Sequence, residues 1–158
     1  MKSLQGKRYE ALALYKRVIE LNPKDYQANF DVAQMFDQVE PPLALLYYEQ
    51  GLKQLKLEIE IRNKLNCENM TDEEFSRDIK NIVPPEILNN IGVLRLEKAT
   101  SFQQSGATAD EALSAFKQAM QNIDLLLSID PEQTKLKSLR ITVLFNMGYW
   151  HEQAHQYD

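Results

Sequence analysis

The sequence predicts an all-α protein assembled from antiparallel helix pairs, and three observations carry that expectation. Five Gly and six Pro among 158 residues leave long uninterrupted stretches, which favours helix. A pattern of small, aromatic and small residues at offsets of four and three occurs three times, at Ala11, Tyr15, Val18, then Ala44, Tyr48, Gly51, then Ala112, Phe116, Ala119. These offsets lie on one helical face. A small residue lets a neighbouring helix approach, and an aromatic one turn later fills the space beside it, so each triplet reads as an inner packing face. Finally, helix stop and start signals recur at Asn22-Pro23, Pro41-Pro42, Pro84-Pro85 and Pro131.

Composition narrows the class further. With 44% apolar and 26% charged residues the chain has the make-up of one packed domain, long enough to bury roughly 70% of its unfolded surface without staples. The single cysteine, Cys67, excludes an internal disulfide framework and supplies no pair for a structural zinc site, which fits a reducing compartment. A net charge of -5 argues against coating nucleic acid or an anionic membrane. The start has no signal-peptide core, and no run approaches the roughly 18 apolar residues of a membrane span.

The elements follow in order. A helix after Gly6 carries the first triplet and stops at Asn22-Pro23; the next holds the apolar-small pair Val32-Ala33. From Pro41-Pro42 an unusually long helix runs through Leu52, Leu55 and Ile59 towards Leu65, roughly 36 Å. An acidic insertion, 66–83, contains Thr71-Asp72-Glu73-Glu74, a capping-box start for a short linker helix with Phe75 and Ile79 on one side. Pro84-Pro85 opens a helix with the pair Ile91-Gly92. Residues 103–108 read as a polar turn before a capped helix from Asp110. That helix stops at Pro131, seven residues beyond the position the pattern requires; two extra turns keep Ile123 and Leu126 on the face of Ala112 and Phe116. A last helix holds Met147-Gly148. The expected segments are 1–25, 26–65, 84–130 and 131–158 in a single repeat domain, with 66–83 as an inserted linker and about seven helices in all.

The stretch from Gly6-Lys7-Arg8-Tyr9-Glu10-Ala11 through Leu21-Asn22-Pro23 resembles a tetratricopeptide repeat, a unit of about 34 residues whose second helix carries the small-aromatic-small triplet. The resemblance extends over nearly the whole chain. It implies that the helix pairs form part of a right-handed superhelix, with one extended helix and irregular insertions. Gly6 follows the stub of a first helix, and Gln156-Tyr157-Asp158 stops where a second helix is due, so the chain is expected to be an internal segment of a longer array. The irregular parts are more specific. Val83-Pro84-Pro85-Glu86-Ile87-Leu88-Asn89-Asn90-Ile91-Gly92-Val93-Leu94, with Asn146-Met147-Gly148-Tyr149-Trp150 further on, resembles the middle of the tetratricopeptide scaffold subunit of the Paf complex. This implies a nuclear protein that organises the other Paf subunits, the parafibromin-type subunit among them. It also implies an indirect link to elongating RNA polymerase II and to co-transcriptional histone modification.

The strongest apparent catalytic motif is His151-Glu152-Gln153-Ala154-His155, two histidines one turn apart around a glutamate, as in zinc proteases. Such enzymes need a third protein ligand, and three residues remain after it. In repeat register His151 takes a packing position and His155 falls at an inter-helix turn, so no metal, cofactor or catalytic residue is expected. Cys67 has no neighbouring cation to favour its thiolate. The cluster Glu68, Asp72, Glu73, Glu74 and Asp78 lacks the glycine and alternating oxygen ligands of a calcium loop and reads as a solvated face. Asn69-Met70-Thr71 fits a glycosylation sequon, which a cytosolic or nuclear chain does not use.

Binding residues follow from register, because repeat superhelices use an inner wall lined by first-helix side chains about a turn apart. That nominates Gln27, Phe30, Gln34 and Gln38, then Asn89, Val93 and Leu96, then Phe145 and Tyr149. Modules that clamp a peptide's terminal carboxylate place Lys, Arg and Asn on that wall. Here the set is amide and apolar, which suits an extended or helical partner segment better than the alternative of a chaperone-cofactor or other peptide-binding adaptor. The repeat positions expected to hold the pairs together are Ala11, Tyr15, Ala44, Tyr48, Gly51, Gly92, Ala112, Phe116, Ala119 and Gly148.

Overall fold

A computed structural model of the protein describes residues 4–66, 69–101 and 106–155, and these are helical without a strand among them. In chain order the elements are α1 (Leu4–Leu21), α2 (Tyr26–Phe36), α3 (Pro41–Leu65), α4 (Asp72–Arg77), a 3-10 turn (Ile79–Asn81), α5 (Pro85–Ser101), α6 (Gly106–Ile129) and α7 (Thr134–His155). Cys67, Glu68, the turn residues 102–105 and the terminal 156–158 lie outside the described residues. The chain divides into two compact units, 1–58 and 59–158, with the boundary inside α3.

In the first unit the local chemistry sets the helix ends. Asp25 caps α2, its side chain accepting from the Ala28 amide at 3.1 Å, and its carbonyl takes the Asn29 Nδ2 donor at 3.1 Å. Pro41 occupies the first turn of α3, where its missing N–H costs nothing. The core of the unit is the contact between α2 and the first half of α3. Ala44 and Tyr48 are fully buried, and the Tyr48 hydroxyl reaches the Asp37 carboxylate at 3.5 Å. Phe30 lies against Tyr26 and Tyr48, with ring centroids 5.9 and 6.5 Å away, and sits directly over Gly51. A Cβ added at Gly51 falls 2.6 Å from Phe30 Cε1, so the glycine is what admits the ring.

The second unit is built on α6, which runs antiparallel to both α5 and α7. The α5 pairing is fixed by Asn122 Nδ2 donating to the Val83 carbonyl at 2.9 Å near one end and Arg95 Nη1 donating to the Glu111 carbonyl at 3.3 Å towards the other. Between them Phe116 covers Gly92, where an added Cβ falls 2.5 to 2.9 Å from three ring atoms. On α7, Arg140 pairs with Asp124 at 3.2 Å, and Trp150 Nε1 donates to the Ala109 carbonyl at 2.6 Å. Ala112, Phe116, Ala119, Ile123 and Val143 are fully buried along this seam. The linker is tied down as well: Arg62 donates from Nε to Asn81 Oδ1 at 3.0 Å and from Nη2 to the Lys80 carbonyl at 2.6 Å, while Asn81 Nδ2 donates to the Phe75 carbonyl at 3.0 Å.

Three expectations need correction. The triplet of α1 is not an inner face like the other two: Ala11 and Tyr15 are half-buried and Val18 is 44% exposed, because α1 touches α2 along one edge and Leu12 takes the buried place. Ile79 does not share a face with Phe75. The chain leaves α4 at Asp78 in an extended conformation, so the one-turn relation is broken; Ile79 is exposed, and Ile82 and Val83 are buried instead. Finally, α6 begins at Gly106 rather than Asp110, and α7 continues through His155, so neither Ala107-Thr108 nor His155 lies in a turn.

The glycines make opposite predictions. Gly51→Ala and Gly92→Ala force a buried ring to move and should each cost about 1–3 kcal/mol, as should Ala44→Leu and Ala112→Leu at fully buried positions. Gly148 has open space beyond its Cα, so Gly148→Ala should stabilise by roughly 0.5–1 kcal/mol through helix propensity alone. Urea melts measure all five; a Gly92→Ala curve superimposing on the parent would refute the ring-over-glycine packing.

Candidate partner-binding faces

Burial sorts the nine wall residues into two groups. Phe30, Asn89 and Leu96 belong to the interior, at 1%, 6% and 6% exposure, and Val93 is half-buried. Phe30 fills the gap over Gly51, and its ring is out of a partner's reach. Asn89 is used internally: its Oδ1 accepts from Asn146 Nδ2 at 2.9 Å, joining α5 to α7 across their shared neighbour α6. A buried amide needs such a partner, since an unsatisfied one costs more than a typical hydrogen bond contributes.

The remaining five are open. Gln27, Gln34 and Gln38 form an exposed stripe on and just beyond α2, with Gln27 Nε2 held by Asp31 Oδ1 at 3.0 Å. Their amides offer both a donor and an acceptor to an extended backbone. On α7, Phe145 is 74% and Tyr149 45% exposed. Their neighbours Ile141, 70% exposed, and Leu144, 48% exposed, share this face although repeat register does not nominate them. The spacing 141, 144, 145, 148, 149 was itself the available signal, because it describes an apolar stripe on one helical face. The opposite side of α7 is spent inward, through Leu136, Val143, Asn146 and Trp150. Four large apolar side chains thus stand side by side on this face of α7.

Other features resolve into structure. Thr71 and Glu74 close the predicted capping box, Glu74 Oε2 accepting from the Thr71 amide and Thr71 Oγ1 from the Glu74 amide, both at 3.1 Å. The acids of α4 thus sit in its first turn, where the helix dipole favours them. His151 is exposed and meets the Trp150 ring edge-on at 4.9 Å. Among the described residues no three His, Cys, Asp or Glu side chains gather where one metal ion fits, and no helix is long and apolar enough to cross a membrane. An open groove of about 550 Å³ runs along the outer side of α6, lined by Asp110, Leu113, Ser114, Lys117, Gln118 and Gln121. It is mixed in character and shallow. Compared with known proteins, the chain matches no protein-family model and no curated protein.

The amide pair is testable by a double-mutant cycle. Asn89→Ala and Asn146→Ala should each cost about 1–3 kcal/mol, and the double variant should cost at least roughly 0.5 kcal/mol less than their sum. Additive losses in denaturant melts would mean that the two amides do not depend on each other.

Proposed function

We propose that this chain is a protein-interaction scaffold: a tetratricopeptide-repeat segment, part of a right-handed superhelix, that organises subunits of the Paf complex in the nucleus. Its role is to hold other polypeptides in fixed geometry during RNA polymerase II elongation and the linked histone modification. The observation that carries the reading is the exposed face of α7, where Ile141, Leu144, Phe145 and Tyr149 stand together on a helix whose other side is locked into the core. Apolar anchors of this kind supply most of the energy in protein association, while neighbouring polar groups set register. The glutamine stripe of α2 adds backbone-directed donors and acceptors. Paired helices with fully buried small-aromatic-small faces at Ala44, Tyr48, Gly51 and at Ala112, Phe116, Ala119 support the repeat assignment. The Paf assignment rests on the Val83 to Leu94 string and the order of elements around it.

On this reading the chain catalyses nothing, takes no cofactor and touches RNA polymerase II through its partners. An affinity capture from nuclear extract, repeated with purified candidate subunits, tests it. The intact chain should retain Paf subunits, the parafibromin-type subunit among them, and Phe145→Asp should lose about tenfold or more in affinity through removal of a central anchor. Phe145 is so exposed that the variant should melt as the parent does. Equal capture by the parent and the Phe145→Asp protein would reject the α7 face as the docking surface, and capture of no Paf subunit would reject the partner assignment.

A further inference from the structure

We propose that the trough between α5 and α7 holds an extended polypeptide segment carrying two basic residues with an apolar residue between them. The inference rests on the scaffold reading and deepens it by giving one partner segment its chemistry.

The helix α5 is packed around most of its circumference, and one stripe of it stays open. Glu86 and Glu97 are exposed and Asn90 and Val93 half-buried, and steps of four, three and four residues put them on one helical face. Counted from the glycine of each helix, Gly92 and Gly148, the same stripe recurs 56 residues later on α7 as Thr142, Asn146, Tyr149 and Gln153. Thr142 and Tyr149 are exposed, Asn146 and Gln153 half-buried. The two helices run parallel, and the hydrogen bond from Asn146 to Asn89 fixes their level. Glu86 then stands level with Thr142, Val93 with Tyr149 and Glu97 with Gln153. On α5 the stripe is open although α6 and α7 both pack against that helix. Its openness at the equivalent positions of α7 therefore does not depend on what packs over Gly148.

Charge selects the occupant. Among the described residues neither Glu86 nor Glu97 is engaged in an ion pair. Glu86 lies in the first turn of α5, where the helix dipole favours an acid whatever binds beside it. Glu97 has no such reason to be there: it precedes the last turn, at the end of the helix where the dipole favours cations. Eleven residues of helix separate the two carboxylates by about 16 Å, which is about five residues of extended chain. Between them Val93 and Tyr149 supply apolar surface from both walls. The trough therefore asks for a basic, an apolar and a basic side chain within about six residues of its partner, the charges setting register and the apolar group anchoring it. Lys135 continues the α7 stripe two turns before Thr142, so it stands beyond Glu86 rather than between the carboxylates. This polarity is the reverse of that in a clamp for a peptide's terminal carboxylate, and the reverse of what a nucleic acid requires.

Amide NMR of the isotope-labelled 158-residue chain tests the proposal with end-blocked peptides, Lys-Ser-Ser-Leu-Ser-Lys and Lys-Ser-Leu-Ser-Ser-Lys, which present the pattern in either chain direction. At least one should bind with Kd on the order of 1 mM and shift the resonances of 86–97 and 142–153. The same peptides with Glu in place of both Lys should shift neither segment. Glu86→Gln and Glu97→Gln should each weaken binding about threefold to fivefold. The double variant Glu86→Lys with Glu97→Lys should exchange the preference and take the Glu peptides over the Lys peptides. Both side chains are exposed, and resonances unchanged outside the trough show that each variant keeps its fold. No shifts with either basic peptide up to about 10 mM, an equal response to the Glu peptides, or glutamine variants that bind as the parent does would each overturn the proposal. Capture of Paf subunits together with any of those results overturns it and leaves the scaffold reading standing alone, whereas peptide binding in the trough without such capture upholds it and rejects the Paf assignment.

Discussion

Two aromatic rings resting on bare helical backbone govern this structure. Phe30 covers Gly51 and Phe116 covers Gly92, each so closely that a single added carbon would overlap the ring. The roles are exchanged between the two pairs: in the first unit the ring comes from α2 and the glycine from α3, whereas in the second the glycine lies on α5 and the ring on α6. The same contact is therefore reached from either helix. Dispersion explains why it is decisive. A ring packed against backbone gains many contacts at optimal distance, and an interior at this density has no slack to absorb another methyl group.

What remains outside follows from that inner saturation. Once Ala44, Tyr48, Ala112, Phe116 and Ala119 are committed to the pair interfaces, the outward faces are free to differ. That of α2 is amide-rich and that of α7 apolar. A rigid α7 is held by Arg140 to Asp124, Asn146 to Asn89 and Trp150 to the Ala109 carbonyl, so its exposed side chains are presented from a fixed backbone. Preorganisation of this kind lowers the ordering cost of association.

Features set by neighbouring residues were legible in the sequence, and features set by distant ones were not. Pro41 starts α3, Thr71 caps α4 and Pro85 starts α5 because each signal acts within its own turn. The 25-residue length of α3 and the extension of α6 to Ile129 followed from the positions of prolines and from face continuity. The candidate site depended on more. Phe30 and Phe145 are the same residue type in equivalent expected positions, yet one is 1% and the other 74% exposed. Phe30 meets Gly51, twenty-one residues away, whose missing side chain opens a place for the ring, whereas Phe145 stands on a face of α7 against which no described helix packs. Asn89 likewise read as a wall residue because its partner, Asn146, is 57 residues away. Ile141 and Leu144 were present as a periodic stripe, but register alone drew attention to the neighbouring aromatics.

The central claim is that Phe145 and Tyr149 are surface anchors while Phe30 and Phe116 are buried keys. Hydroxyl-radical footprinting of the free chain and of the chain saturated with a purified Paf subunit tests this at all four side chains together. The account predicts that Phe145 and Tyr149 oxidise readily when free and become protected when bound, while Phe30 and Phe116 stay unreactive in both states. Equal oxidation of Phe145 and Tyr149 with and without the partner, or ready oxidation of Phe30 and Phe116 in the free chain, would contradict it.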